Sequence, residues 1–194
     1  MKTVCLALAC AALLPFQRGG GRVQPLILTT TAWTDGGVIP DKYAQSGHDV
    51  SPPFAWSWVS PNPPENIVSF VLIAHDLDAP TGSGTDDMLH WLVWNMPAAT
   101  RQLPEGVPQG ATLPDGARQI SATGPNYRGP AAAAPGPLHH YVFELFALDT
   151  LLDVPAVGAA PPQTRAAVLA AMAGHIRGKG VYTGTYRRRQ APGT

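Results

Sequence analysis

Only two cysteines, Cys5 and Cys10, occur in the 194-residue chain, both within its first ten positions. Beyond them there is no thiol nucleophile, no disulfide framework and no cysteine-based zinc site. Charge is scarce as well. Only 13% of residues are charged, 13 basic against 13 acidic, where soluble domains usually carry roughly 25%. Zero net charge without a basic stripe excludes a general nucleic-acid binder, which depends on cationic excess. The N-terminal apolar run, Val4–Phe16, is too short to cross a bilayer as a helix, so no transmembrane segment is read there. Also missing are the Gly-x-Ser-x-Gly elbow, the His-Glu-x-x-His pair and the Gly-x-x-x-x-Gly-Lys loop. Three common hydrolase and nucleotide signatures go with them.

What is abundant is proline and glycine, 21 and 20 residues. With 45% apolar residues and no repeat, this composition points to short strands joined by fixed turns, neither disordered nor a helical bundle. Lys2 followed by Val4–Phe16 has the layout of a secretory signal. Residues 1–23 are therefore read as a signal peptide or disordered leader, and residues 24–190 as a single domain. Export, to a periplasm or out of the cell, is the expectation, and a cytoplasmic location the alternative.

Leu26–Thr31, Phe54–Trp58, Ile67–His75, Trp91–Met96, Tyr141–Leu148 and Gly180–Tyr186 read as strands. The nearly unbroken apolar run Ile67–His75 should be central and covered on both faces. Residues 97–138 hold eight prolines and six glycines in 42 positions, either a functional loop system or a misread element. One helix is expected late. Pro161-Pro162 precede it, Thr164 is its N-cap, Val168, Leu169 and Met172 form its apolar stripe, and Gly174 follows its end. Arg187-Arg188-Arg189 reads as a solvated run. The sum is a mostly antiparallel β-domain with one C-terminal helix.

Chemistry concentrates at strand ends. Ile67–His75 runs into Asp76-Leu77-Asp78-Ala79-Pro80, where persisting strand geometry would point both carboxylates one way. The chain re-enters a strand at His90-Trp91, and a hairpin-like return would set His90 at the edge that holds Asp76. His139-His140-Tyr141 opens another strand, with His139 and Tyr141 on one face and His140 on the other. The stiff segment Gly124–Pro130 could present backbone N–H groups to an anion, Gly129 among them. Together Asp76, Asp78, His90, His139, Tyr141 and the Gly129 backbone describe one pocket. Carboxylates behind the imidazoles would fix their tautomers and favour the protonated form, which suits a phosphate, with Asp78 left for an attached amine. His48, His75, His140 and His175 are read as bystanders.

These segments in order (Asp76–Pro80, His90-Trp91, Tyr127–Pro130, His139–Phe143), with Asp49–Trp56, Gly174-His175 and Thr183–Tyr186, resemble the phosphatidylethanolamine-binding protein family, also called the Raf kinase inhibitor protein family, in its bacterial-type branch. The likeness spans roughly residues 25–187. It implies an antiparallel β-sandwich of a large and a small sheet with a C-terminal helix. It also implies a pocket for phosphate or phospholipid headgroups lined by Asp76, Asp78, Pro80, His90, Gly129, His139 and Tyr141. Leu77 stands where the family commonly has proline, and Ala131–Ala134 where a proline pair is usual. The functional expectation is non-catalytic binding of a small anion such as phosphoethanolamine, with no cofactor and no metal. Regulation of a kinase or protease partner is one alternative, and a metal-dependent or acid–base hydrolase using the same pocket is the other.

Overall fold

The structure, a computed structural model, describes residues 22–190. The leader expected at residues 1–23 falls almost wholly outside them. The elements in order are β1 (Gln24–Thr29), a 3-10 turn (Asp41–Tyr43), β2 (Phe54–Trp58), β3 (Ser69–Thr81), β4 (Asp86–Pro97), β5 (Gln102–Leu103), β6 (Arg118–Ile120), β7 (His139–Leu148), α1 (Pro161–Met172) and β8 (Ile176–Tyr186). Eight strands form one sheet in the order β5-β2-β1-β8-β7-β3-β4-β6.

The expected pair of separate sheets is one curled sheet. Its bend lies at β1, whose first two residues, Gln24 and Pro25, pair in parallel with Gly178 and Lys179 of β8. Leu26–Thr29 then pair antiparallel with β2 instead. The β1–β2 end thereby turns over the middle of the sheet, and Phe54 of β2 meets Phe143 of β7 with ring centroids 4.9 Å apart. Trp56 meets Phe70 at 5.5 Å. A single strand that changes partner midway joins what would otherwise be two layers.

β3 is central and covered on both faces, as its unbroken apolar run implies. Phe70, Leu72 and Ala74 belong to the core under the curl, with Trp91, Tyr141 and Phe143. Val71 and Ile73 belong to the opposite core, with Trp94, Phe146, Val168 and Met172 of α1. Period-two alternation thus supplies two cores from one strand. The Pro/Gly-rich stretch contains β5 and β6, strands of two and three residues that are too short to leave a periodic signal.

The helix begins three residues earlier than its expected cap. Ala160 is the N-cap, Pro161 stands at N1, where its fixed φ suits a helix start, and Thr164 is buried inside the first turns. Gly174, at φ 83°, follows the C-cap as expected. Val168 and Met172, four apart, face the sheet, whereas Leu169 is exposed.

Candidate functional site

Strands β3, β4 and β7 carry one titratable cluster to the same end of the sheet. The ladder sets Asp76 opposite Tyr141, and His139 lies two residues away from Tyr141 on the same face. His139 Nδ1 donates to Asp76 Oδ2 at 2.8 Å. His90 comes from the neighbouring strand by a different device. Ala74 pairs with Trp91 but His75 pairs with Leu89, so His90 is the extra residue of a β-bulge. Bulges re-aim side chains. This one brings His90 Nε2 to 4.0 Å from Asp76 Oδ2 and sets the ring edge-on to Tyr141, centroids 5.1 Å apart. His90 and His139, 49 positions apart in sequence, therefore flank one buried carboxylate.

The local account differs from expectation in one respect. His90 does not open its strand. β4 starts at Asp86, because the β3–β4 hairpin continues to the Thr81–Asp86 pair.

Three of the candidate residues take other roles. The Gly129 N–H does not face outward, for it donates to Asp49 Oδ1 at 2.5 Å. The segment around it holds His90 instead: His90 Nδ1 donates to the Arg128 carbonyl at 2.7 Å and the Arg128 N–H returns a bond to the His90 carbonyl. Asp78 does not point with Asp76. The register shifts between Asp76 and Pro80, and the Asp78 N–H donates to Asp76 Oδ1 at 2.9 Å. The turned Asp78 carboxylate accepts from both the N–H and Nδ1 of His140, at 2.6 and 2.8 Å. Pro80 is exposed on the hairpin opposite Asp87. What the structure brings together is Asp76, His90, His139 and Tyr141.

Asp49 and the Arg128 carbonyl are the positioning groups that motif reading missed. Asp49 adopts φ 52°, in the left-handed region that non-glycine residues seldom occupy. Its only sequence signal was its place at the head of Asp49–Trp56.

Electrostatics separate the two imidazoles. Burial lowers the His90 value below the ordinary histidine range, with the Arg128 carbonyl and Asp76 opposing only in part. The expectation that carboxylates hold both rings protonated therefore fails at His90, whose nearest acceptor is a carbonyl. Burial first, then the Asp76 charge, push the Tyr141 phenol well above its usual range. Its hydroxyl is enclosed beside Asp76 and the Ala131 and Ala132 backbone without an aligned hydrogen bond to any of them. Among the described residues no set of three or more His, Cys, Asp or Glu side chains is arranged to hold a metal.

The opposite face of β3 holds a second network. His75 Nδ1 donates to Asp87 Oδ2 at 2.5 Å, and its Nε2 faces Glu144 Oε2 at 3.4 Å without an aligned hydrogen bond. Arg165 of α1 donates to Asp87 Oδ1, and Lys179 pairs with Glu144 at 2.6 Å. Burial lowers the His75 value, but Glu144 and Asp87 together outweigh it and the net direction is up from 6.5. His75 holds Glu144 down at about 2, from 4.5, assisted by Lys179 against the effect of burial. A raised imidazole stabilises the fold fully below its unfolded value and loses that contribution as pH rises through its folded value. A depressed carboxylate stabilises above its unfolded value and loses its contribution as pH falls toward its folded one. The network should therefore contribute most between pH 4.5 and 6.5. Urea midpoints at pH 6 and pH 8.5 test this. His75→Gln should flatten the decline toward pH 8.5, and an unchanged decline would remove His75 from it.

A curled β-sheet whose central strands gather a carboxylate, two imidazoles and a buried phenol at one end defines a β-domain with a candidate ligand pocket. The family model described as "Phosphatidylethanolamine-binding protein" matches residues 29–187. A protein of Methanothermobacter thermautotrophicus, named UPF0098 protein, is 39% identical over 163 residues, covering 83% of this chain and 98% of the relative. The Escherichia coli UPF0098 protein YbhB is 40% identical over 125 residues, 59% of this chain and 73% of its own length. Among solved structures, Escherichia coli YbcL, described as a member of the mammalian PEBP family, matches with TM-score 0.70 and 25% identity, covering 84% of this chain and 99% of that one. A phosphatidylethanolamine-binding protein homologue of Chlamydia trachomatis matches with TM-score 0.67 and 31% identity, covering 86% and 99%. The chain belongs to the phosphatidylethanolamine-binding protein family, in its bacterial and archaeal-type branch.

Proposed function

We propose that the protein binds a small phosphate-bearing anion, inorganic phosphate or a phospholipid headgroup such as phosphoethanolamine, at Asp76, His90, His139 and Tyr141, without turning it over. The observation that carries this reading is the Tyr141 hydroxyl, buried beside Asp76 and the Ala131 and Ala132 backbone without an aligned hydrogen bond. Leaving such a donor unpaired costs about 1–3 kcal/mol. Its raised pKa keeps the proton in place, so an incoming acceptor oxygen removes that cost.

The histidines refine the ligand. His139 keeps Nδ1 on Asp76 and is partly exposed, which leaves Nε2 to meet an anion. His90 donates through Nδ1 to a carbonyl, and burial keeps it neutral, so its Nε2 is an acceptor. The cluster therefore suits a ligand that brings a proton donor along with its oxygens, as hydrogen phosphate and phosphoethanolamine both do.

Calorimetric titration with both ligands tests the reading. His139→Ala should weaken binding about tenfold or more, the scale of one charge-assisted hydrogen bond. His140→Ala should change it less than twofold, because that exposed side chain is turned to Asp78. Equal effects would place the ligand on the wrong face of β7, and hydrolysis of a phosphate ester by the wild type would end the non-catalytic reading. Export is proposed from Val4–Phe16 alone, and N-terminal sequencing of protein recovered outside the cytoplasm checks it.

A further inference from the structure

The Arg187-Arg188-Arg189 run is exposed but does not trail away from the fold. The Arg188 N–H donates to the Ala132 carbonyl at 2.9 Å, and Arg187 Nη1 donates to the Gly136 carbonyl at 2.7 Å. Tied down in this way, the segment encloses a cavity of about 210 Å³ against Val38, Ala134, Pro135 and Leu138. That is room for roughly seven water molecules. Leu138 immediately precedes His139, but none of Asp76, His90, His139 and Tyr141 lines the cavity, which is separate from that cluster.

Its chemistry is two-sided. Arg187, Arg188 and Arg189 line one wall, and among the described residues the only carboxylate pairing with them is Asp41, 3.3 Å from Arg189 Nε. The guanidinium groups of Arg187 and Arg188 face no carboxylate among the described residues. The other wall is aliphatic and open, with Val38 64% and Leu138 44% exposed. A guanidinium fork matches a carboxylate in two parallel hydrogen bonds. Exposed aliphatic groups beside it gain by covering a short hydrocarbon chain.

We propose that this cavity is a second ligand site, for an aliphatic carboxylate, with the acid held by Arg187, Arg188 and Arg189 and the chain laid on Val38, Pro135 and Leu138. Octanoate is the probe, titrated into the full chain by calorimetry and followed at the Val38 and Leu138 methyl groups by NMR. Wild type should bind it, with those methyl resonances shifting. The triple variant Arg187→Gln, Arg188→Gln, Arg189→Gln should lose at least tenfold in octanoate affinity while keeping phosphate affinity within twofold. Leu138→Asn should lose several-fold. Acetate should bind at least tenfold more weakly than octanoate. Failure of the folded wild type to bind octanoate overturns the proposal, as does a triple variant that binds it undiminished. Acetate binding as tightly as octanoate, or displacement of octanoate by an equal concentration of hexaglutamate, also overturns it. Either result would make the wall a general anion patch.

Discussion

Asp76→Asn is expected to weaken phosphate binding by roughly ten- to hundredfold, the equivalent of about 1.5–3 kcal/mol for a hydrogen bond to a charged group. The side chain is almost fully buried, and its two oxygens have separate duties. Oδ1 accepts the Asp78 N–H and Oδ2 accepts His139 Nδ1. Asparagine has one acceptor oxygen. If that oxygen keeps the Asp78 N–H, the amide N–H₂ is turned on His139 Nδ1, which must then be an acceptor. The ring then carries its proton on Nε2, but the negative charge that would support a second proton on Nδ1 is gone, so its contact to an anion loses its charge assistance. Shape is retained while charge and tautomer change. Calorimetric titration of wild type and variant at one pH, with circular dichroism to show equal folding, measures the loss. An affinity within twofold of wild type would mean that the Asp76–His139 pair does not support the ligand. A loss of bound metal from the purified wild type in the same variant would replace anion binding with a metal-centred reading.

A large stability effect is expected at Gly129. A Cβ there would stand 2.1 Å from the Tyr43 carbonyl oxygen, 2.8 Å from Asp49 Oδ1 and 2.9 Å from the Ala44 Cα. Two of these three neighbours are backbone, so no side-chain rotation clears the clash. Gly129→Ala should destabilise the fold by about 3 kcal/mol or more, at or above the upper end for overpacking. The displacement also reaches the site. Arg128, one residue earlier, holds His90 through its backbone carbonyl, which accepts from the ring, and its N–H, which donates to the His90 carbonyl, so anion affinity should fall with stability. Gly116→Ala is the control. Gly116 has a positive φ, 88°, which Gly129 does not share, but nothing stands within 4 Å of the added atom, and a cost near 1 kcal/mol for the backbone conformation alone is expected. Urea denaturation of the three proteins decides the matter. Equal costs would show that crowding at Gly129 relaxes freely, and the packing argument would fall.

Much of the β-architecture was legible because period and burial act locally. Ile67–His75 could bury both faces only at the centre of a sheet, and β3 does so with residues split between two cores. Phe54–Trp58 emerged with the expected limits, since alternation of large and small residues marks both ends. The shared face of His139 and Tyr141 likewise follows from a strand's two-residue repeat. What the chain could not show by itself depends on partners distant in sequence. The single curled sheet comes from β1 exchanging β8 for β2 after two residues, and neither partner is encoded in β1. The bulge that aims His90 exists only relative to β3, as a mismatch of one residue between two ladders. Asp78 and Gly129 carry the right chemistry for a ligand, yet each is taken by a nearer protein group, His140 in one case and Asp49, 80 positions away, in the other. Local sequence determines which residues can form a strand and which face they share. Whether a donor or carboxylate stays free for a ligand depends on every other group that reaches it, and only the tertiary structure brings those groups within hydrogen-bond range.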